Sequence, residues 1–120
     1  MVKLLLLERS KRKNKKWMVV LEDSNGTQVI HFGDLRYQDY TQHKDIARRD
    51  SYRARARAIR NKKGVLTIED PLSPNAWSYY VLWGDSTSLY RNLKNMLNLF
   101  GMGYDGVILK DLVKINLGAS

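Results

Sequence analysis

The chain has 120 residues, 43% hydrophobic and 28% charged, with three Trp, seven Tyr, no Cys and a formal net charge of +9. That is ample apolar material for one folded domain and too much for a disordered chain, while the absence of cysteine excludes disulfides, thiolate metal ligands and a thiol nucleophile. The charge is concentrated: residues 9–16 carry six Lys or Arg and no acid, and residues 44–63 carry nine against Asp45 and Asp50, leaving six bases and ten acids for the rest.

Lys3–Glu8, Lys16–Asp23 and Thr27–Phe32 read as three strands, with the Asp23-Ser24-Asn25-Gly26 turn joining the last two as an antiparallel hairpin. The first strand is expected to pair with the second through the basic 9–16 loop. Gly33–Tyr40 reads as a loop. Asp39 or Thr41 then caps a helix reaching about Arg60, with Gln42 three residues after Asp39 as in a capping box. His43, Ala47, Ser51, Ala54 and Ala58 share one face of that helix, small enough for close approach to a sheet.

Val65–Glu69 is strand or extended chain, and Asp70–Pro74 is a turn. Ser73 as cap and Pro74 at the first helical position start a second helix to Trp83, burying Trp77, Tyr80 and Val81, and Gly84 breaks it. Asp85 or Ser86 caps a third helix to Phe100, whose stripe of Leu89, Leu93, Met96, Leu97 and Phe100 faces the core. Beyond Gly103, a returning strand and a short amphipathic helix fit the pattern equally; unpacked, the segment would be an arm for a neighbouring subunit. No apolar run approaches the ~18 residues of a membrane span, and no signal peptide is evident, so a soluble intracellular protein is expected.

These elements make one α+β domain over residues 1–120, a small three-stranded antiparallel sheet packed on two or three helices. Its parts are a β-meander (1–33), a basic helix (41–60), two further helices (74–100) and a C-terminal arm (103–120).

His31-Phe32-Gly33, then Tyr37, Asp39-Tyr40-Thr41, His43-Lys44-Asp45, Arg48-Arg49 and Tyr52 form an HFG…YxDYTxHKD…RRxxY signature, followed by Asp70-Pro71 and the apolar Tyr79–Trp83. In this signature, over about residues 16–100, the chain resembles a family of small basic proteins encoded by large double-stranded DNA viruses of algae and amoebae. The family carries no assigned activity. The resemblance implies a context, a viral protein located in the virion and in host cytoplasm during assembly.

The candidate binding residues follow from charge. In the loop they are Arg9, Lys11, Arg12, Lys13, Lys15 and Lys16; on the helix Arg48, Arg49, Arg53, Arg55, Arg57 and Arg60; beyond it Lys62 and Lys63. With only Asp45 and Asp50 for relief, the arginines call for an external anion or acidic partner, and the guanidinium fork suits phosphate and carboxylate. His31 and His43 with Asp39 and Asp45 are a weak metal candidate; capping and packing at a strand-to-helix corner accounts better for the DYT segment. The acids are otherwise scattered over caps and turns, so neither enzyme, metal nor cofactor is expected. No helix-turn-helix, zinc-finger or RRM pattern points to base-specific reading. Two readings remain: a minor capsid protein binding other virion or capsid proteins through its basic patches and apolar tail, its ends held by neighbouring subunits, or a sequence-neutral nucleic-acid-binding protein for genome packaging or condensation.

Overall fold

The computed structural model describes residues 2–110. Strands β1 (Lys3–Arg9), β2 (Lys15–Asp23) and β3 (Gly26–Asp34) form the expected antiparallel meander. The β2–β3 turn closes with Asp23 opposite Gly26, whose φ of +108° is the conformation glycine supplies without strain. A fourth strand, β4 (Ile108–Leu109), lies parallel to β1, so the sheet is mixed with order β3-β2-β1-β4. The expectation of three purely antiparallel strands is corrected by this addition. β4 is two residues long, and its attachment rests on Lys110 N–H donating to the Leu7 carbonyl and Leu4 N–H to that of Gly103. Residues 103–110 of the expected arm therefore pack on their own sheet; residues 111–120 lie outside the described residues.

One sheet face is the core. Leu4, Leu7, Val19, Leu21, Ile30 and Phe32 point into it and meet Trp77, Val81, Leu82, Leu93, Met96 and Leu97 from the helical layer. Helix α4 (Leu89–Leu99), capped by Ser88 accepting from Arg91 N–H, supplies the last three, as its stripe requires. Before it, Ser73 accepts from Asn75 N–H to start a helix that is α-helical over Pro74–Trp77, α3, and then widens into one π-helical turn over Ser78–Leu82. Just past this turn Gly84 is required, because a Cβ there would stand 2.3 Å from the Tyr80 carbonyl oxygen. Buried Asn92 completes the junction: its amide donates to the Val81 and Ser86 carbonyls and its Oδ1 accepts from Ser86 N–H.

The other sheet face holds a feature the sequence reading missed. Ile108, Leu6, Val20 and Val29 are consecutive cross-strand partners and make an apolar row across all four strands. Val29 and Ile108 are each 54% exposed.

The single basic helix expected over 41–60 is two helices. Helix α1 (Tyr40–His43) stops at Lys44, which adopts φ +60°, and α2 (Ile46–Ala56) restarts from Asp45, whose side chain accepts from Arg48 N–H. Two capping acids six residues apart, Asp39 and Asp45, favour two short helices over one long one. The anticipated small-residue face does not pack: Ala47, Ser51, Ala54 and Ala58 are exposed. The buried side of α2 is instead Arg49, Tyr52, Arg53 and Ala56, at helical spacing. After α2 the chain turns back with Arg60 bridging Leu66, and 67–69 is a 3-10 turn rather than a strand. Asn75 Nδ2 locks this return to the helical layer through the Ala56 carbonyl and Thr67 Oγ1.

Candidate functional site

Between α2 and the sheet lies an open cleft of about 730 Å³. One wall is α2 itself, through Ala47, Arg48, Ser51, Tyr52 and Arg55. The opposite wall is the start of β2 (Lys15, Lys16), the end of β3 (Gly33, Asp34) and the 37–39 loop, with Ser78, Leu82 and Trp83 between. The hairpin loop is fastened beside β3 by Leu35 N–H donating to the Asn14 carbonyl, which sets Lys15 at the rim. The two basic segments that are 28 residues apart in the sequence numbering, 16 to 44, thus meet across one cavity.

The cleft is hung on a buried ion pair. Lys16 Nζ donates to Asp39 Oδ2 at 2.6 Å and to Gln42 Oε1 at 2.7 Å, with both charged side chains more than nine-tenths buried. Asp39 also accepts from Thr41 N–H at 2.9 Å and from the Thr41 hydroxyl, and Gln42 Oε1 accepts from Asp39 N–H, completing the capping box. Gly33 makes room for this arrangement. It has φ +83°, and a Cβ there would lie 2.8 Å from Leu82 Cδ1 and 3.1 Å from Lys16 Cβ. Most of the HFG…DYT signature is therefore a structural corner: Phe32 packs on Trp77, Gly33 admits Lys16, and Asp39 caps α1 while neutralising that lysine.

His43 belongs to the same corner. Its Nδ1 accepts from Asp45 N–H at 2.9 Å, which leaves the proton on Nε2, a buried atom with no hydrogen-bond partner. The ring lies between Tyr40 and Trp83, at centroid distances of 6.3 and 5.3 Å. Burial first, then the charge of Arg48, holds its pKa below the ordinary histidine value; Asp45 and Asp39 oppose the shift. His31 sits elsewhere, bonded through Nδ1 to Ser10 Oγ at 2.7 Å, its pKa also lowered by burial and by Arg12 and Lys15. Among the described residues no three His, Asp or Glu side chains gather as a metal site.

The basic residues divide into three groups. Lys16, expected as an exposed binding residue, is instead buried and paired inside the fold with Asp39. Arg49 and Arg53 are structural in part. Arg49 lies 4.9 Å over the Tyr40 ring and pairs with Asp50, while Arg53 lies 5.2 Å over Tyr79 and pairs with Asp85 at 2.9 Å. Arg9 stands over Trp17, and Arg60 donates to the Gly64 carbonyl. Arg48, Arg55 and Arg57 are exposed, and among the described residues no carboxylate pairs with any of them. Lys11, Arg12, Lys13, Lys62 and Lys63 are exposed in the two loops. Arg48, Arg55 and Lys15 line the cleft.

Of the acids in the cleft, Asp34 stands opposite Lys15 across the β2–β3 pair and attracts it. Asp34 is held by Arg36 through Nε at 3.0 Å and Nη2 at 2.9 Å, and these bonds lower its pKa to about 2. Asp39 is matched by Lys16. The aromatic lining was also unforeseen. Tyr52 stacks on Trp83 at 4.2 Å and 11°, and its hydroxyl bonds Ser78; burial raises its pKa above the usual tyrosine value, with Ser78 and Arg55 opposing. Tyr37, 66% exposed, stands at the rim.

Residues 5–56 are similar to a family of unknown function, DUF5754. The matched stretch holds β1 from Leu5 onward, β2, β3, α1 and α2, and so both basic walls of the cleft, while Ser78, Leu82 and Trp83 fall outside it. No curated protein and no solved structure matches the chain.

Proposed function

We propose that the protein is a non-enzymatic structural component of a large DNA virus particle, a minor capsid protein that joins neighbouring subunits. The observation that carries the reading is the convergence of the two basic segments on one side, with Arg48, Arg55 and Arg57 lacking a carboxylate among the described residues. Repulsion among such guanidiniums is relieved by an anionic surface. The apolar row Ile108-Leu6-Val20-Val29 supplies a second, uncharged attachment face, as a subunit touching two neighbours needs. The viral setting comes from the HFG…DYT…RRxxY resemblance. Mass spectrometry of purified virions, with chemical cross-linking through lysines 11, 13, 62 and 63, tests it. Cross-links to capsid subunits are expected; absence of the chain from intact particles overturns the reading.

A second reading, sequence-neutral nucleic-acid binding for packaging or condensation, is favoured by the tyrosines that stand among the cations, Tyr37 and Tyr52. If six to ten phosphates are engaged, affinity for duplex DNA falls by about 10³–10⁵ between 50 and 200 mM salt. A flat salt response removes this reading and leaves the first intact.

A further inference from the structure

The cleft is concave, and that changes which anion can use it. A duplex or a flat protein surface can press on the exposed loops, but neither enters a cavity between a helix and a sheet. The volume, about 730 Å³, lies in the range of small-molecule sites, roughly 300–1,000 Å³. Its lining combines three cations, Lys15, Arg48 and Arg55, with hydroxyls from Ser51 and Ser78 and an exposed ring at Tyr37; among the described residues none of the three is in a salt bridge, though Lys15 is attracted to Asp34 opposite it. Both acids in the wall are already satisfied, Asp34 by Arg36 and Asp39 by Lys16. The walls are also preorganised: the Lys16–Asp39–Gln42 cluster fixes one, and the Tyr52–Trp83 stack fixes the other. A fixed backbone on both walls holds the bases of the three cations at set positions, so that phosphate binding has only their side chains to order.

We propose that this cleft is a binding site for a nucleotide, with the phosphates held by Lys15, Arg48 and Arg55 and the base laid against Tyr37. The site is independent of the particle reading: it asks only that the folded chain bind a phosphorylated small molecule. Base stacking on an exposed tyrosine tolerates any base, so selectivity falls on the phosphates. Arg48 and Arg55 point from an exposed helix face, so neutral substitutions there leave the fold in place.

Isothermal titration of the full chain with ADP, inorganic phosphate and adenosine tests it, at low and at physiological salt. Saturable one-to-one binding is expected in the order ADP, phosphate, adenosine. Arg55→Gln and Lys15→Gln are each expected to weaken ADP about tenfold, and Tyr37→Ala to weaken ADP but not phosphate. Arg91→Gln, on exposed α4 outside the cleft, leaves ADP unchanged. A 5′-phosphorylated dinucleotide that displaces ADP supports the site and assigns it to a strand end; ADP binding that the dinucleotide cannot displace supports it as a site for free nucleotide. Absence of saturable ADP binding in the millimolar range, or equal losses for Arg55→Gln and Arg91→Gln, overturns the proposal. Circular dichroism of each variant confirms that the comparison is between folded chains.

Discussion

The two halves of this molecule are held together by different forces. The sheet, the α3–π segment and α4 share a core of aliphatic and aromatic side chains, with Leu4, Leu7, Val19, Trp77, Val81, Leu93 and Leu97 fully buried. The half built from residues 35–65 buries little of that kind: only Tyr40 and Ala56 among its apolar side chains are fully buried. It is attached instead by the Lys16–Asp39 pair, by Arg49 on Tyr40, by Arg53 on Tyr79 and by Tyr52 on Trp83. The contrast teaches that a basic segment can be both adhesive and surface. On α2 the same residue type, at neighbouring positions, does one job on the inner side and another on the outer.

The contrast can be broken most forcefully at the ion pair. Asp39→Ala leaves Lys16 charged and buried with Gln42 but no counter-charge, and the loss expected is about 3–5 kcal/mol of folding stability by urea unfolding. Recovery of most of that loss in Lys16→Met with Asp39→Ala would show that the orphaned charge, rather than the missing cap, dominates. In the apolar half, Leu93→Ala should cost about 2–5 kcal/mol. Native-state hydrogen exchange would then sharpen the difference, with amides of α2 exchanging faster than those of β2 if the polar half opens first.

A smaller effect separates the halves by pH. Burial lowers the His43 pKa in the folded chain, so the unfolded chain binds its proton first as pH falls. The His43 contribution is complete above about pH 6.5 and is lost as pH falls from there through the folded-state pKa. His31 acts with the same sign. Urea midpoints measured from about pH 7.5 down to 5 should decline, and His43→Gln should flatten the decline; an unchanged slope in that variant would assign it to His31 or to carboxylates. Least of all, Arg57→Ala should alter stability by no more than about 0.5 kcal/mol, since it lies exposed with no carboxylate paired to it among the described residues.

The apolar half was legible in the sequence because periodicity encodes it. The apolar β-rich runs and the Asn25-Gly26 turn gave β1 to β3, the Leu89-to-Phe100 stripe gave α4, and Ser73-Pro74 gave the start of α3. β4 stayed open between a returning strand and a helix because two residues carry no period. The polar half was legible only in its caps. A lysine inside a basic loop carries no local mark of burial; Lys16 is buried because Asp39 and Gln42, distant in sequence, close over its ammonium. Arg49 and Arg53 were likewise misjudged, since charge counting cannot tell which guanidinium will lie on a tyrosine. The spacing Arg49, Tyr52, Arg53, Ala56 was the available signal, and the more obvious row of small residues obscured it. The cleft was missed for the same reason: Ala47 and Ser51, on the small side of α2, line it instead of packing against the sheet.

The widened turn at Ser78–Leu82 sets a phase. One residue more than an α-helix would use is accommodated there, so every side chain after it is rotated about the helical axis relative to a regular continuation. Trp83 meets Tyr52 and His43 only with that extra residue counted in. Shortening the segment by a single position would swing the indole by roughly a quarter turn, withdraw it from both rings, and loosen the 35–65 region at its Trp83 anchor while also shifting Val81 and Leu82 in the main core.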